Sequence, residues 1–557
     1  MKKYIITYVL LGFLSSCAKV VPPTGGDRDQ IPPRLLQVFP KPYTTDYQGQ
    51  TIQFLFNEPI ETKGLKQEMT ISPNYDLLYK SKIKDKSLII TFLDTIPSNR
   101  TYLVNLGGAV RDLTEGNASP NPGALFSTGP SLDTIRLTGH LTDYYTGEPI
   151  IDGTALLYKA SVDSIDIDQI GNALYSAKTD SGGHYIFYNL PQDTFRLYGL
   201  AEKKANRRYD NPEERIAFLS DSLFIDRSTE IDLQVKSYNT APPKIGKPQV
   251  TGQIATIELN KEVEQYTIHS ELPSAIYTRW NGLNLEFFYT DTLPTDSIRL
   301  DLSVTDQYNQ MDRDTFQIVF NPERIQDDRR RKRTVFPQPE FKVTFSGETS
   351  LRPKQIDDLV IKSTLPLKPL VLDSIQIVTA AEDTVPLASD QYTTDRIYDS
   401  ANYYIVLPDL LDLQYTKLIF KKGAIQSIMG DTLEAKQINL TPLQVEDYGT
   451  IEGILIAPDR QYKIQLLSDQ YNVEQELDWT QVRKVRNTTI FKFTYVTPGT
   501  KYIRVLVDKD RDGIYQEGNF LTRETPEPVY IYPEPISIKA NWEILRDDLK
   551  ITLPTDL

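Results

Sequence analysis

Cysteine is almost absent from this sequence, and histidine and tryptophan are scarce. The 557 residues include one Cys, three His and three Trp. A single Cys cannot form a disulfide within the chain, so stability must come from packed cores. No Cys-x-x-Cys pair and no glycine-rich phosphate loop occur. The sequence therefore excludes a disulfide-linked scaffold and offers neither a CxxC site nor a phosphate cradle.

Positive charge is also in deficit. The chain has 61 Lys and Arg against 75 Asp and Glu, which gives a formal net charge of −14. A negative surface disfavours nucleic acid and anionic lipid as partners. After the first residues, no segment is long and apolar enough to span a bilayer. We expect a body that is held to a membrane only at its amino terminus.

Aromatic and turn-forming residues are abundant. There are 33 Tyr and 21 Phe, which favour strands, and 36 Pro and 28 Gly, which interrupt them. Short β-type runs recur at a spacing of about 8–12 residues, as in β-sandwiches. Single cores stop growing beyond about 250–300 residues, so the length implies several domains. The predicted fold class is all-β, with tandem sandwich modules.

The lone cysteine lies in a distinctive context. Lys2 and Lys3 precede an apolar run at 4–14, and small residues lead into Cys17, which is the layout of a secretory signal. The stretch LSSC, ending at Cys17, resembles the lipobox of bacterial lipoproteins. That resemblance implies lipidation of Cys17, removal of residues 1–16 and a tether at 17–30. The alternative is an ordinary signal peptide with an incidental cysteine.

Internal repetition predicts two kinds of module. NLEFFYTDTLP (284–294) echoes SLIITFLDTIP (87–97), and KGAIQSIMGD (422–431) resembles GGAVRD (107–112). A second kind of segment, LTGHLTDYYTGEPI (137–150), has a counterpart in GTIEGILIAPDRQY (449–462). Such repetition indicates an array of related domains.

Both kinds of module resemble known families. FNEPI (56–60) and VRD (110–112) resemble the bacterial Ig-like domain of S-layer proteins and Bacteroidota lipoproteins. TDSGGHY (179–185) resembles the carboxypeptidase regulatory-like, or transthyretin-like, sandwich. The predicted order is a signal peptide at 1–16, a lipidated tether at 17–30, Ig-like domains at 31–130, 240–322 and 338–443, transthyretin-like domains at 133–238 and 446–557, and a basic, Pro-rich linker at 323–337.

One stretch predicts a metal site. DKDRDGIYQEGN (508–519) begins like a calcium loop, in which alternate carboxylates converge on one cation and a glycine allows the bend. The predicted calcium ligands are Asp508, Asp510, Asp512, the Ile514 carbonyl and Glu517. Position 12 of the loop is Asn519 instead of the bidentate Glu of an EF-hand. The corresponding turn near residue 204 carries a Lys, so a metal-free, Asx-rich turn is the alternative.

Other candidates are expected to be structural. His140, His184 and His269 lie in strand patterns with no second histidine near in sequence, and a metal site or a Ser-His-Asp triad is the alternative to a structural role. The basic run at 329–333 is interpreted as a solvated linker, with a contact to phosphates or an acidic partner as the alternative. Trp280 and Trp479 are assigned to cores rather than to sugar binding. No catalytic residue is nominated.

Three function classes follow. The first is a non-enzymatic envelope lipoprotein that holds protein partners at the outer membrane, as a subunit of an assembly or secretion machine. The second is a glycan-binding accessory lipoprotein, and the third is an enzyme. The resemblance to bacterial lipoproteins implies an address as well: Ala18 after the cysteine is similar to lipoproteins that are sorted to the outer membrane. The acidic stretch that is common in surface lipoproteins of Bacteroidota is missing here, which favours the periplasmic face over the cell surface. A scaffold fold alone does not determine function.

Overall fold

The chain folds almost entirely into β-strands. The structure, a computed structural model, describes residues 29–160, 172–202, 206–209, 211, 213–290, 297–320, 323–326, 332–335, 340–346, 350–351, 358–379, 381–387, 392–394, 403–406, 415–439, 441–442, 445–457, 460–485 and 488–554. Helix in these residues is limited to α1 (Leu65–Glu68) and two 3₁₀ turns, Leu372–Ser374 and Val445–Asp447. The predicted all-β fold class is confirmed. None of the described helices is long and apolar enough to cross a membrane.

Alternating burial builds module one (residues 35–127). Its strands are β1 Leu35–Phe39, β2 Thr51–Phe56, β3 Ile60–Thr62, β4 Thr70–Ser72, β5 Tyr79–Lys84, β6 Ser87–Phe92, β7 Thr101–Asn105, β8 Val110–Asp112 and β9 Gly123–Ser127. In β2 the buried side chains are Ile52, Phe54 and Phe56, the period of two that a half-buried strand requires. Each such side chain contributes about 1.5–3 kcal/mol when buried. The sheets β1-β2-β6-β5, β4-β7-β9 and β3-β8 share this core.

Module two (residues 135–238) is one extensively hydrogen-bonded sheet system. Its strands are β10 Ile135–Asp143, β11 Thr154–Lys159, β12 Tyr175–Lys178, β13 His184–Leu190, β14 Asp193–Ala201, β15 Arg215–Phe218, β16 Leu223–Ile225, β17 Thr229–Glu230 and β18 Leu233–Ser237. The main order is β12-β11-β14-β15-β18-β10-β13. At Gly139 an added Cβ would lie 1.7 Å from the Ile231 carbonyl oxygen, so only glycine fits this position of β10.

Module three (residues 245–320) places two sheets around one core. Its strands are β19 Gln249–Thr251, β20 Ile254–Glu258, β21 Gln265–Ile268, β22 Ile276–Asn281, β23 Asn284–Tyr289, β24 Ile298–Thr305 and β25 Met311–Ile318. The orders are β19-β20-β23-β22 and β21-β24-β25. Trp280 is buried in this core and donates its indole N–H to the Gly282 carbonyl at 2.6 Å. Trp280 therefore packs in a core, as expected from the sequence.

A hairpin and a fourth sandwich follow. Within the interval predicted as a linker, β26 (Glu323–Gln326) pairs with β27 (Lys332–Val335). Module four (residues 341–442) contains β28 Val343–Ser346, β29 Ser350–Leu351, β30 Asp358–Ser363, β31 Ile375–Thr379, β32 Thr384–Pro386, β33 Tyr392–Thr394, β34 Tyr403–Val406, β35 Tyr415–Phe420, β36 Lys436–Asn439 and β37 Thr441–Pro442. The two larger sheets are β28-β30-β34-β33 and β32-β31-β35-β36.

Module five (residues 449–554) closes the described chain with two sheets. Its strands are β38 Gly449–Ile456, β39 Gln461–Leu467, β40 Val473–Leu477, β41 Arg483–Val485, β42 Thr488–Val496, β43 Gly499–Asp508, β44 Val529–Ile531, β45 Ile536–Ile538, β46 Glu543–Ile544 and β47 Lys550–Thr552. The orders are β41-β42-β38-β46 and β40-β39-β43-β44, with β47 on β38 and β45 on β43. As β17 and β18 do on β10 in module two, late strands pair in parallel with its first strand, β38.

A buried polar residue organises the same type of loop in modules one, three and four. The Asp112 carboxylate accepts the backbone N–H groups of residues 114–117 at 2.5–3.1 Å. Asp306 accepts those of residues 308 and 310, both at 2.9 Å. The Ser427 hydroxyl accepts those of residues 429 and 431. Each side chain replaces hydrogen bonds that the turning backbone would otherwise lack.

The Asp112 carboxyl should make the stability of module one depend on pH. Burial raises its pKa, but the four N–H donors outweigh burial, and the net pKa is lowered. A lowered carboxyl pKa stabilises the fold above the unfolded value of about 3.9, and the stabilisation is lost as pH falls through the folded value. We therefore expect Asp112→Asn to lower the melting temperature at pH 7, with a difference from wild type that narrows on acidification.

Thermal unfolding between pH 7 and pH 3 tests this expectation. The matched control is Glu61→Gln, an exposed position of β3 that makes the same change of charge. If the difference in melting temperature between Asp112→Asn and wild type did not change with pH, the ionised Asp112 carboxylate would not be what stabilises module one.

Candidate functional site

The predicted calcium ligands lie on one long loop. Residues 508–527 leave the end of β43 and return to the start of β44, and we name them the carboxyl-terminal loop. This loop lies against module two, and the contact between them is the candidate functional site. Cys17, the predicted lipidation site, lies outside the described residues, as does most of the basic run at 329–333.

Two buried carboxylates shape the carboxyl-terminal loop from inside. Asp508, 5% exposed, accepts the backbone N–H of Arg511 at 2.6 Å and of Gly513 at 2.9 Å. Glu527 accepts the N–H of Lys509 at 2.6 Å and of Gln516 at 3.0 Å. Gly513 has a φ of 82°, which favours glycine, as the sequence pattern implied. The loop is thus fixed by its own acidic side chains.

Only part of the predicted ligand set converges. Asp508, Asp510 and Glu527 offer carboxylate oxygens that all lie within 4.8 Å of one another. Asp512 accepts the Ile514 N–H at 2.7 Å. Glu517 faces away and pairs with a lysine of module two. The structure therefore adds Glu527, which lies beyond the 12-residue motif and which spacing alone did not indicate.

The equivalent turn of module two has a related design. The Glu202 carboxylate accepts the N–H groups of Asn206 at 2.6 Å and Arg207 at 2.7 Å, and it also accepts the Thr154 hydroxyl. Lys204, which stands where a ligand would be, lies outside the described residues. An acidic side chain that caps backbone N–H groups accounts for this turn in both modules. Calcium binding stays a prediction for the carboxyl-terminal loop.

An aromatic side chain at the end of the loop enters module two. Phe520 is 4% exposed and belongs to a core cluster of module two. Its ring centre lies 5.4 Å from that of Tyr209, 5.3 Å from Phe218 and 6.1 Å from Tyr238. Aromatic rings at these distances gain packing energy beyond their buried area. Module five thus completes a core of module two.

A second aromatic contact reinforces the first. The hydroxyl groups of Tyr144 and Tyr515 are hydrogen-bonded to each other, and their oxygens lie 3.0 and 2.7 Å from the Glu527 carbonyl oxygen, which accepts from the hydroxyl that does not donate to its neighbour. Tyr144 also packs on Leu506 and Val529 of module five. Burial raises the pKa of the Tyr515 hydroxyl, with nearby carboxylates adding to the shift. The raised pKa keeps the Tyr515 hydroxyl protonated, and its contact with the Tyr144 hydroxyl joins the two modules.

Buried cations link the two modules as well. Lys236, with a side chain 3% exposed, donates to the Glu517 carbonyl at 2.8 Å and pairs with its carboxylate at 3.0 Å. Its ammonium lies 5.2 Å from the ring centres of Tyr144 and Tyr238. Burial lowers the pKa of Lys236, and Glu517 opposes that shift. The aromatic faces and the carboxylate together replace the water that the ammonium loses.

Arg504 acts in the opposite direction, from module five to module two. Its guanidinium donates to the Tyr145 carbonyl at 3.1 Å and to the Gln465 side chain at 2.6 Å. Burial lowers the pKa of Arg504, while Tyr145 and Glu476 raise it. Each module therefore extends a buried cation to a backbone carbonyl of the other.

Neighbouring modules are joined by the same type of contact. Lys261 of module three donates to the Asn239 carbonyl at 2.6 Å and the Ala241 carbonyl at 3.0 Å, both in the segment that joins modules two and three, while paired with buried Asp306 at 2.8 Å. Arg279 of module three donates to the carbonyls of residues 363 and 364 in module four at 3.1 and 2.9 Å. Cation-to-carbonyl contacts thus fix three junctions.

A cleft separates modules one and two. It has a volume of about 690 Å³, and its walls include Tyr75, Tyr188, Asn74, Asn172 and Arg207. The rim residue Tyr188 is 48% exposed. Clefts of about 300–1,000 Å³ are typical of small-molecule sites, although such sites are usually more apolar than this one.

The remaining single candidates have separate environments. Trp479 is 46% exposed and lines a smaller recess of about 250 Å³ with Arg460, Lys484 and Arg511. The prediction that Trp479 packs in a core is therefore wrong. The third histidine, His269, has its Nε2 2.8 Å from the Ser303 hydroxyl. His140 and His184, distant in sequence, face each other on β10 and β13.

Comparison with known proteins identifies the first module. Residues 29–128 match the family described as a bacterial Ig-like domain. This match agrees with the resemblance drawn from FNEPI and VRD. No curated protein matches the chain. Together with the five packed cores, the match gives an Ig-like, multi-domain β fold.

Solved structures with several domains align along much of the chain. The S-layer protein SbsC is 11% identical, with 86% of this chain and 64% of that chain covered and a TM-score of 0.14. A Bacteroides ovatus SGBP-B, solved with a mixed-linkage heptasaccharide, is 11% identical, covers 72% and 96%, and has a TM-score of 0.16. The Bacillus cereus major pilin subunit BcpA is 10% identical, covers 75% and 98%, and has a TM-score of 0.13. The chain spans less than two thirds of SbsC, and these low TM-scores carry no functional argument.

Removing the Phe520 ring should loosen module five from module two. Truncation of a buried Phe to Ala typically costs about 3–5 kcal/mol, and here the cost falls on the contact between modules. We expect Phe520→Ala to raise amide hydrogen exchange in residues 508–527 and 209–218, as measured by mass spectrometry. The control is Phe224→Ala in module two, where the ring is 57% exposed. Unchanged exchange in Phe520→Ala would show that the contact does not hold the loop.

Calcium titration can distinguish the ligands predicted from the sequence, which include Glu517, from the carboxylates that converge in the structure, which include Glu527. If the ion is held where the carboxylates converge, Asp510→Asn should weaken calcium binding measured by calorimetry. Glu517→Gln should leave it unchanged, because Glu517 faces Lys236. Asp510 is exposed, so its substitution leaves the buried carboxylates that shape the loop intact. If the wild-type chain binds no calcium, the loop is a metal-free, Asx-rich turn.

Proposed function

We propose that this chain is a non-enzymatic scaffold of the cell envelope, lipidated at Cys17 and attached to the periplasmic face of the outer membrane. In this role it holds protein partners as a subunit of an outer-membrane assembly or secretion machine. The observation that carries the proposal is the set of buried cations that bind carbonyls of other modules. A protein that spaces partners needs fixed relative positions of its surfaces, and these contacts provide them.

The contacts restrict the modules more than a linker would. Lys261 donates two hydrogen bonds to the backbone of the segment that joins modules two and three, and Arg279 donates two to the backbone of module four. If module two moved away from either of its cation contacts with module five, Lys236 or Arg504 would lose buried partners. Leaving such a charge unpaired costs about 3–5 kcal/mol in typical proteins. Each junction therefore resists hinge motion.

The chemistry of the candidate site also favours a scaffold over an enzyme. Three groups with shifted pKa values at this interface bond atoms of the opposite module, namely Lys236, Arg504 and Tyr515. Perturbed groups in an active site would instead face a cleft and a substrate. Their arrangement is that of a packed interface.

An affinity purification tests the proposal. The full-length chain would be recovered from mild-detergent extracts of its own cells beside two variants, Cys17→Ala and Phe520→Ala. We expect a stoichiometric envelope protein with the wild type. With Cys17→Ala we expect that partner to be lost, together with fractionation of the chain with the outer membrane. Phe224→Ala is the matched control for Phe520→Ala. Failure to recover any stoichiometric partner, or full membrane attachment of Cys17→Ala, would contradict the proposal.

The second candidate function is binding of a glycan. The cleft between modules one and two favours it, because amide and guanidinium side chains line this cleft together with the half-exposed Tyr188. Sugars are bound by such combinations of hydrogen bonding and ring stacking. Retention of the chain in polysaccharide-containing native gels, lost in Tyr188→Ala, would favour this function over the scaffold.

A further inference from the structure

Two histidines and two carboxylates meet on the outer face of module two. His140 of β10 and His184 of β13 are directly opposite in the antiparallel register, so both side chains lie on the same face. On the other side of β10, Glu230 and Asp232 belong to the segment around β17, which pairs with β10 in parallel. The four residues come from three adjacent strands and are separated by up to 92 positions in sequence.

The distances between these groups suit one small cation. The His140 Nδ1 atom lies 3.2 Å from an Asp232 oxygen and 3.9 Å from a Glu230 oxygen. Ligand atoms of these three residues all lie within 4.8 Å of one another. The two imidazole ring centres are 5.2 Å apart, with ring planes inclined at 50°, so the rings are not stacked face to face.

The separation of the rings matches shared coordination. A Zn–N bond is about 2.0–2.1 Å long, and two ligands of a tetrahedral ion subtend about 109°. With each ring nitrogen about 1.2 Å from its ring centre, two imidazoles on one zinc ion have centres about 5 Å apart. The ring centres are therefore at about the spacing that joint coordination requires. His184 is not among the three residues whose ligand atoms converge, so its side chain must rotate to complete the site, without rearrangement of the backbone.

The backbone holds this arrangement in place. The Asp232 oxygen nearest to the His140 ring also accepts the His140 N–H at 2.7 Å. The His184 N–H donates to the Asp180 carboxylate at 3.0 Å. Asp232 and Asp180 therefore fix the strand positions that carry the two imidazoles. The side chains of His140, Glu230 and Asp232 are 46%, 65% and 68% exposed, so a cation from solvent can reach them.

We propose that His140, His184, Glu230 and Asp232 form a binding site for a divalent first-row transition cation of the zinc type. Imidazole and carboxylate ligands together select zinc, cobalt, nickel or copper over calcium and magnesium, which prefer oxygen ligands alone. Two carboxylates balance the charge of the ion when both imidazoles are neutral. The bound cation joins three neighbouring strands of module two, and the proposal is independent of the proposed function.

Zinc titration of the full-length chain tests this site. Every protein carries Cys17→Ala and a tag without histidine, so no thiol or tag binds the metal. Calorimetry with zinc chloride should give one site in the micromolar range. His140→Asn and His184→Asn should each weaken binding by about tenfold or more, and the double variant should abolish it. Zinc should also raise the melting temperature of the wild type, because it binds the folded state.

Two control variants make the result specific. His269→Asn removes a histidine from module three, and Asp510→Asn alters the acidic cluster of module five, so neither should change zinc binding. Bound cobalt should give visible absorption that depends on His140 and His184. The proposal is overturned if the wild type binds no zinc at millimolar concentration, or if His140→Asn and His184→Asn bind it as tightly as the wild type does.

Discussion

The structure depends on buried cations that bind backbone carbonyls of another module. A Lys or Arg removed from water must recover its hydrogen bonds, and a carbonyl at the end of a neighbouring strand supplies them. Lys236, Arg504 and Arg279, in modules two, five and three, use this solution, and Lys261 uses it with carbonyls of the segment that joins modules two and three. Burying the charged side chain costs much free energy, so the contact stabilises the protein only when the two modules keep one relative position.

This constraint explains the design of the carboxyl-terminal loop. Its acidic residues cap backbone N–H groups from inside, which gives a long connection a defined shape without regular strands. This shape brings three side chains of the loop to module two. The Tyr515 hydroxyl contacts the Tyr144 hydroxyl, Glu517 pairs with Lys236, and the Phe520 ring packs on Phe218. The loop that looked like a calcium motif is thus also the main contact between modules two and five.

The outer surface of module two carries two kinds of chemistry in separate places. One side receives module five through aromatic rings and Lys236. The outward residues of β10 and β13 instead bring histidines beside Glu230 and Asp232. Both kinds of chemistry use side chains that point away from the core of module two. Side chains alternate along each strand, so His140 and Lys236 both lie on the face opposite the core residues Leu141 and Leu233.

The sequence alone determined the fold class. Alternating apolar residues, as in β2, and frequent turn residues require β-sandwich packing, and short motifs such as FNEPI and VRD identified module one as Ig-like. The calcium motif correctly placed Asp508 and Asp510 together because those residues are local. Domain boundaries and the lipidated Cys17 stay predictions.

Only the tertiary structure decided which distant residues meet. Glu527 joins Asp508 because β44 returns beside β43, and His184 faces His140 because of strand register. Phe520 reaches Tyr209 because module five folds back onto module two. Local spacing reports contacts within a turn or along one strand, whereas contacts between strands and modules depend on pairing and packing over the whole chain.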